Sequence, residues 1–389
     1  MLRRPVDSAS GVLAQLLEVS RTDTATLIRP ADGVEPRGLD GQDGVVLRPA
    51  PAADPRLLRQ PGGALGLDDP AYIARAIDHR VIEAASQTGV TLVIKAPRQS
   101  GKTSLLIRYL GKCRQEGKQA ALIDLQIFTV AQLEDLAAWL SRFARMIIRE
   151  LALDPSLHKP IGAPDELTDF MEDVIFAKVE KQVVIGLDEV DRLIARTWRD
   201  DFFAMLRHWH NLRASRPERG WGRFDLALVV ATEPLLLIAD PLQSPFNVVD
   251  PLRLPPFDEG DLRRLNEVYG KPMDYLAIKE MSDLLGGQPY LSRMFFFHLA
   301  TEVGVSLQEL FTRASTNDGP FGEHLRARLS EIARYPELAD AYRRLLRRES
   351  QPSPEVGHRL EALGLARRSA AEGLAPANLL YTRYFDRAL

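Results

Sequence analysis

Two short stretches carry most of the chemistry this sequence could perform. The first is Ala96-Pro97-Arg98-Gln99-Ser100-Gly101-Lys102-Thr103, continued by Ser104; an apolar run precedes it and a helical pattern follows. A phosphate cradle needs that context: backbone N–H groups turned inward, a glycine allowing close approach, and a helix N-terminus whose dipole favours negative charge. Gly101 supplies the approach, Lys102 reaches the β- and γ-phosphates as a point charge, and the Thr103 hydroxyl suits magnesium. The G-x-x-x-x-G-K-S/T pattern asks for glycine where Ala96 stands, and alanine is compatible provided its φ stays negative.

The second stretch, Val183-Val184-Ile185-Gly186-Leu187-Asp188-Glu189, is an apolar strand ending on two carboxylates. By themselves such acids serve equally well as helix caps. Downstream of a phosphate loop they acquire roles: Asp188 holds magnesium, often through water, and Glu189 polarises an attacking water, with Lys102 the other catalytic group. Thr232 follows the apolar run 226–231 and either orients water or the γ-phosphate or caps the turn before Pro234. Asp191 and Arg192 read as solvated or helix-capping groups. His208 and His210, two apart, point roughly 200° from each other on a helix, which argues against a shared metal. Cys113 reads as a small buried hydrophobe on a helix.

The elements that must position these groups follow from periodicity. Apolar runs at 91–95, 120–124, 183–187 and 226–231 have the length and continuity of interior parallel strands, and helical patterns at 104–113, 133–151 and 202–213 lie between them. Alternating strands and helices predict a parallel α/β sheet. After Pro256 short helices take over, at 259–269, 274–285 and 290–303; beyond about 321, amphipathic helices lead to a short hairpin and a final helix, the pattern of a winged helix. The expected organisation is an N-terminal unit and linker at 1–59, a nucleotide-binding domain at 60–258, a helical lid at 259–320 and a winged-helix domain at 321–389.

A 389-residue chain exceeds what a single core serves, so several domains are expected. The net charge of −3 argues against one broad nucleic-acid-coating face. A single cysteine excludes an internal disulfide and fits a reducing cytoplasm, and no apolar run approaches the roughly 20 residues of a membrane span, so a soluble cytoplasmic protein is expected.

Several further segments, in order along residues 60–389, give the chain a resemblance to the bacterial AAA-like domain family. They are Tyr72-Ile73-Ala74-Arg75-Ala76-Ile77-Asp78, the phosphate loop, Leu187-Asp188-Glu189-Val190-Asp191, Ser244-Pro245-Phe246-Asn247, Gly286-Gly287-Gln288-Pro289-Tyr290, and Leu379-Leu380-Tyr381 with Tyr384-Phe385. That family is similar to the STAND and origin-recognition branches of AAA+ ATPases. The resemblance implies a P-loop NTPase sheet, helical lid and winged helix closing around ATP or ADP with magnesium. It also implies that Tyr72 and Arg75 line the base and ribose end, that Pro289 contacts the adenine side, and that Arg293 is a candidate lid-borne phosphate sensor. Where relatives tend to carry an arginine after the Phe-Asn pair this chain has Asp250, leaving Arg223 or Arg253 to reach a neighbouring site, or slow turnover.

Three readings follow. One is a signalling ATPase in which nucleotide state governs self-association or an effector recruited through the N-terminal unit. The second is a DNA-binding initiator or transposition-regulator ATPase acting through its winged helix, to which Arg359, Arg367 and Arg368 lend support. The third is a nucleotide-binding scaffold without hydrolysis, against which Glu189 speaks. Arg343, Arg344, Arg347 and Arg348 form a helix band suited to phosphates or, as a solvated face, to pairing with Asp340 and Glu349.

Overall fold

The computed structural model describes residues 54–231, 249–369 and 373–389. Most of the N-terminal unit and linker expected at 1–59, Thr232 and residues 244–247 lie outside them.

A 3-10 turn at Pro55–Leu58, capped by Asp54, leads through α1 (Ala76–Glu83) to β1 (Thr91–Lys95), the phosphate loop and α2 (Lys102–Gln115). There follow β2 (Gln119–Asp124), α3 (Val130–Glu134), α4 (Leu136–Glu150), α5 (Pro164–Phe170) and β3 (Val183–Asp188). Next come α6 (Arg199–Ser215), β4 (Phe224–Val230) and β5 (Leu252–Arg253). Among the described residues these strands form a parallel sheet in the order β2-β3-β4-β1-β5. The four longer strands fall where apolar continuity predicts them. β5 was not foreseen, because two residues between Pro251 and Pro255 carry no strand signal. The helix expected over 133–151 is broken at Asp135, whose backbone is extended and whose carboxylate accepts from Ala138 N at 2.6 Å, starting α4 afresh.

Strand side chains alternate between two buried faces. Val93, Ile185, Leu187, Leu228 and Val230 join a core with Trp139, Phe143, Phe202 and Trp209 from α4 and α6. Leu92, Ile94, Val184, Ala227 and Val229 face α2 through Leu105, Leu106, Tyr109, Leu110 and Cys113. Burial on both faces explains the uninterrupted apolar strands. The expected burial of Cys113 on a helix is met, and its thiol pKa is pushed up to about 11, chiefly by desolvation. At the sheet's N-terminal end the fully buried Asp225 of β4 binds Lys118 Nζ, Gln182 Nε2 and Val90 N, each at 2.7 Å, which ties the entries to β1, β2 and β3 to β4.

The second half is helical: α7 (Glu259–Val268), α8 (Tyr275–Leu285), α9 (Pro289–Thr301), α10 (Leu307–Arg313), α11 (Gly322–Ala333), α12 (Pro336–Leu346) and α13 (Pro354–Ala362). An antiparallel pair, β6 (Ala366–Ser369) and β7 (Gly373–Pro376), and α14 (Leu379–Ala388) complete it. A continuous core runs from Leu262 and Phe295 to Tyr342, Leu360 and Phe385, and takes in Leu57, Ala71 and Ile73 from the first half. The segment around Leu57, which composition marks as linker, therefore packs against α9, and Tyr269 at the end of α7 donates to Leu57 O at 3.3 Å.

Candidate functional site

The phosphate loop leaves β1 at its C-terminal end and turns into α2. Ala96 is buried and stays out of the left-handed region, so the missing glycine costs the loop nothing in backbone strain. Two other positions do turn left-handed: Gly101 at φ +88°, and Gln99 at φ +63°, an uncommon conformation for a non-glycine residue. Lys102 is buried and donates to Pro97 O at 2.9 Å, spanning the loop. Desolvation lowers its pKa, against the pull of Asp191, Glu189 and Asp188. Ser104 is turned to the chain itself, accepting from Leu65 N at 2.9 Å.

The carboxylate strand β3 ends beside this loop. Thr103 Oγ1 donates to Asp188 Oδ2 at 2.6 Å, bringing together the two residues expected to hold magnesium, and Asp188 Oδ1 accepts from Glu189 N at 2.9 Å. Asp188 is 4% exposed, and desolvation raises its pKa against the lowering effect of those hydrogen bonds. Glu189 is held at φ +56°, ψ +38°. Left-handed backbone in an acidic, non-glycine residue at a strand end is a local cost that the surrounding structure must enforce. Asp191 and Arg192, expected as solvated or capping groups, are instead fasteners. Asp191 Oδ2 accepts from Ala231 N at 2.6 Å, tying the turn after β3 to the end of β4, and Arg192 Nη1 donates to the carbonyls of Leu125 at 2.8 Å and Gln126 at 2.6 Å.

The loop, the carboxylates and the first turns of α9 line a cleft of about 960 Å³. Tyr72, Arg75, Pro289, Tyr290, Arg293 and Arg328 are among its lining residues. Tyr72 donates to Asp78 Oδ2 at 2.6 Å and its ring lies 3.3 Å under the Arg108 guanidinium, which also holds the carbonyls of Leu65, Gly66 and Leu67. Arg75, 3% exposed, donates from Nη1 to Ser100 O and to Pro255 O, both at 3.0 Å. It thus braces the phosphate loop against the segment between β5 and α7. Pro289 opens α9 at its first turn, where a missing N–H costs nothing. Before it, Gly287 at φ +68° is obligatory: a Cβ there would fall 2.0 Å from Phe257 O, and Phe257 N donates to Gly287 O at 2.8 Å.

Gln288, from the Gly-Gly-Gln-Pro segment, and two residues that the sequence does not mark, Arg328 and Glu331, complete the surroundings. Gln288 Nε2 reaches Gln99 O at 3.3 Å, Arg328 Nη2 reaches Gln99 Oε1 at 2.9 Å, and Glu331 Oε1 accepts from Arg98 at 2.7 Å. No sequence signal marks the last two, since they lie more than two hundred residues from the loop. Arg293 is half-buried at the cleft rather than freely solvated. Arg223, one candidate for a finger reaching a neighbour, is committed to its own chain: it donates to the carbonyls of Val179, Lys181 and Phe176. His208 is exposed, while His210 Nδ1 lies 3.2 Å from Thr91 Oγ1, so the pair shares no site. Among the described residues no group of three His, Cys, Asp or Glu side chains could hold a metal, and no helix is long and apolar enough to cross a membrane.

A parallel sheet that delivers a phosphate loop and a carboxylate strand to one edge, with β4 between them, defines a P-loop ATPase-like architecture. The particular branch follows from the sequence profile of the AAA-like domain, which matches residues 60–387: the chain belongs to that family. Among solved structures it is similar to the Walker-type ATPase PABY2304 of Pyrococcus abyssi, at 15% identity and a TM-score of 0.55, over 85% of this chain and 99% of that one. It also matches the Aeropyrum pernix ORC2 protein, determined as ADPNP-ADP complexes, at 14% identity and a TM-score of 0.46, over 86% and 98% of the two chains. A comparison with curated proteins gives no match.

Proposed function

We infer that this protein is an ATP-binding switch ATPase of the STAND-like kind, with slow hydrolysis, in which nucleotide held between sheet and lid sets the arrangement of the C-terminal helices. The observation that carries this reading is the 2.6 Å contact between Thr103 Oγ1 and Asp188 Oδ2, with Glu189 next in the chain, in a cleft that also contains Lys102 and the lid residue Pro289. A hydroxyl and a carboxylate, both oxygen donors, suit a hard cation that keeps most of its own waters and the substrate's phosphates as ligands. Magnesium, when bound by Thr103 and Asp188, would neutralise charge on the transferred phosphoryl group.

The chain's own groups supply the rest. The backbone N–H groups of residues 99–103 at the N-terminus of α2 receive phosphate oxygens, and the Lys102 ammonium exchanges Pro97 O for them. Glu189, at the cleft's edge, orients and deprotonates the attacking water. Tyr72, Arg75 and Pro289 shape the base and ribose end, and Thr232 remains a candidate for orienting water. The domain scheme proposed is a nucleotide domain to residue 258, a lid to 320, and beyond it a winged helix, supported by the succession α11, α12, α13, the β6–β7 pair and α14. Self-association and an effector recruited through residues 1–59 are proposed as the output, in the cytoplasm.

The DNA-binding alternative draws less support, because its arginines are largely engaged: Arg359 pairs with Glu337, Arg368 with Glu361, and Arg343 and Arg344 with Asp340. The test measures phosphate release and particle size with and without ATP and magnesium, for wild type and Lys102→Ala, and duplex binding across a salt series. Nucleotide-dependent size change and phosphate release, both lost in K102A, are expected. Tight, steeply salt-dependent duplex binding that K102A leaves untouched would favour the initiator reading instead.

A further inference from the structure

In a phosphate loop the positions between the first residue and Gly101 are free of phosphate chemistry at their side chains, since the backbone does the cradling. Here two of them are engaged by the C-terminal helices. Glu331 on α11 bridges two guanidiniums, accepting from Arg98 Nη1 with one oxygen and from Arg328 Nη1 with the other, both at 2.7 Å. Arg328, itself buried, extends its other nitrogen to Gln99 Oε1 at 2.9 Å, and Arg98 N donates to Ala362 O at the end of α13 at 3.1 Å.

Gln99 is the residue whose backbone the loop holds left-handed, a conformation that is unfavourable for a side-chain-bearing residue. It is gripped at its side chain by α11 and at its carbonyl by Gln288, the residue that caps the lid helix α9. The strained turn of the phosphate loop is therefore held from outside the nucleotide domain, and whatever moves α11 releases it.

We propose that Arg328 and Glu331 are positioning residues for the phosphate loop, and that through them the docking of the C-terminal helices and the binding of nucleotide phosphates favour one another. This rests on the nucleotide reading of the cleft. Because linkage is reciprocal, α11 docked on Arg98 and Gln99 raises nucleotide affinity, and bound nucleotide tightens that docking by the same factor. The C-terminal unit thereby reads the state of the site without itself contacting the base.

The experiment compares wild type, Glu331→Gln, Arg98→Ala and the double variant by titration with a fluorescent ATP analogue and by amide exchange, with and without nucleotide. Glu331 is 29% exposed and Arg98 47% exposed at their side chains, so neither change threatens the fold. E331Q is expected to weaken nucleotide roughly fivefold, at the low end of typical couplings. Exchange at Arg98 N and along α11 should rise. Nucleotide should protect α11 in wild type and fail to do so in E331Q, and the double variant should bind no more weakly than the worse single one. Unchanged affinity in E331Q, even with faster exchange, would reduce the bridge to a structural tie and overturn the proposal, as would additive losses in the double variant. Wild type that binds no nucleotide at all would bring down the reading of the site, and this coupling with it; wild type that binds while E331Q binds equally removes only the coupling.

Discussion

Glu189 offers a test in which catalysis and stability are expected to move in opposite directions. Its backbone lies at φ +56°, ψ +38°, and its carboxylate lines the cleft next to Asp188. Replacing it with glutamine keeps the strained backbone and removes the base; a general base is worth about 10²–10⁴-fold in rate, so phosphate release should fall by that factor while nucleotide affinity holds. Replacing it with glycine removes base and strain together. A left-handed L-residue costs about 1–2 kcal/mol, and glycine's extra unfolded-state freedom returns roughly 0.5–1 kcal/mol of that. The net gain is on the order of 0.5–1 kcal/mol, a rise in Tm of about 1–3 °C for a domain of this size. Single-turnover phosphate release and thermal melting of E189Q and E189G side by side make the measurement. If E189Q hydrolyses as fast as wild type, Glu189 is not the base. If E189G melts below E189Q, the backbone there carries no strain, and the association of that strain with function fails.

Thr103→Val removes the hydroxyl 2.6 Å from Asp188 and should weaken magnesium-dependent nucleotide binding about tenfold or more while leaving magnesium-free binding nearly unchanged, as read by titration with and without chelator. His324 is buried neutral with its pKa lowered to about 3, chiefly by desolvation, and Nε2 lies 2.8 Å from Tyr381 Oη. Its folded pKa lies below the unfolded value of 6.5, so its contribution is intact above 6.5 and is lost as pH falls toward 3, at up to about 1.4 kcal/mol per pH unit. Melting curves from pH 7 to 4 should flatten in His324→Gln. Asp225→Ala, which strands the buried Lys118, should cost about 3–5 kcal/mol of stability with nucleotide affinity unchanged in the folded fraction.

The legible parts of this protein were those whose physics is local. The phosphate loop announces itself because its chemistry fixes residue types at adjacent positions, and the four longer strands because burial on both faces leaves runs of apolar residues. Asp135 breaks a helix that periodicity carries straight through, since a cap is decided by one side chain finding one N–H. Arg75 shows a different limit. Resemblance placed it near the ligand, and it does line the cleft, yet its hydrogen bonds go to Ser100 O and Pro255 O, carbonyls that sequence cannot show as needing a donor. Arg328 and Glu331 were illegible for the same reason at longer range. Nothing in a helical pattern says which face will meet a loop more than two hundred residues away.

The electrostatics of the cleft explain why a fold would keep groups that do not stabilise it. Desolvation lowers the pKa of Lys102 and raises that of Asp188, so burial favours the neutral form of each. An acid with a raised folded pKa contributes stability only below its unfolded value of 3.8, and a base with a lowered one only above its unfolded value of 10.5. Across the neutral range neither group helps the chain fold. On the proposed reading of the cleft, their charges would be offset by partners of opposite sign, a cation for the carboxylate and phosphate oxygens for the ammonium, and a ligand bringing both would recover in binding what folding gives up. Stabilisation by ATP with magnesium should therefore exceed the sum of the two given separately, because each of these buried charges relieves the desolvation cost of a different half of the ligand.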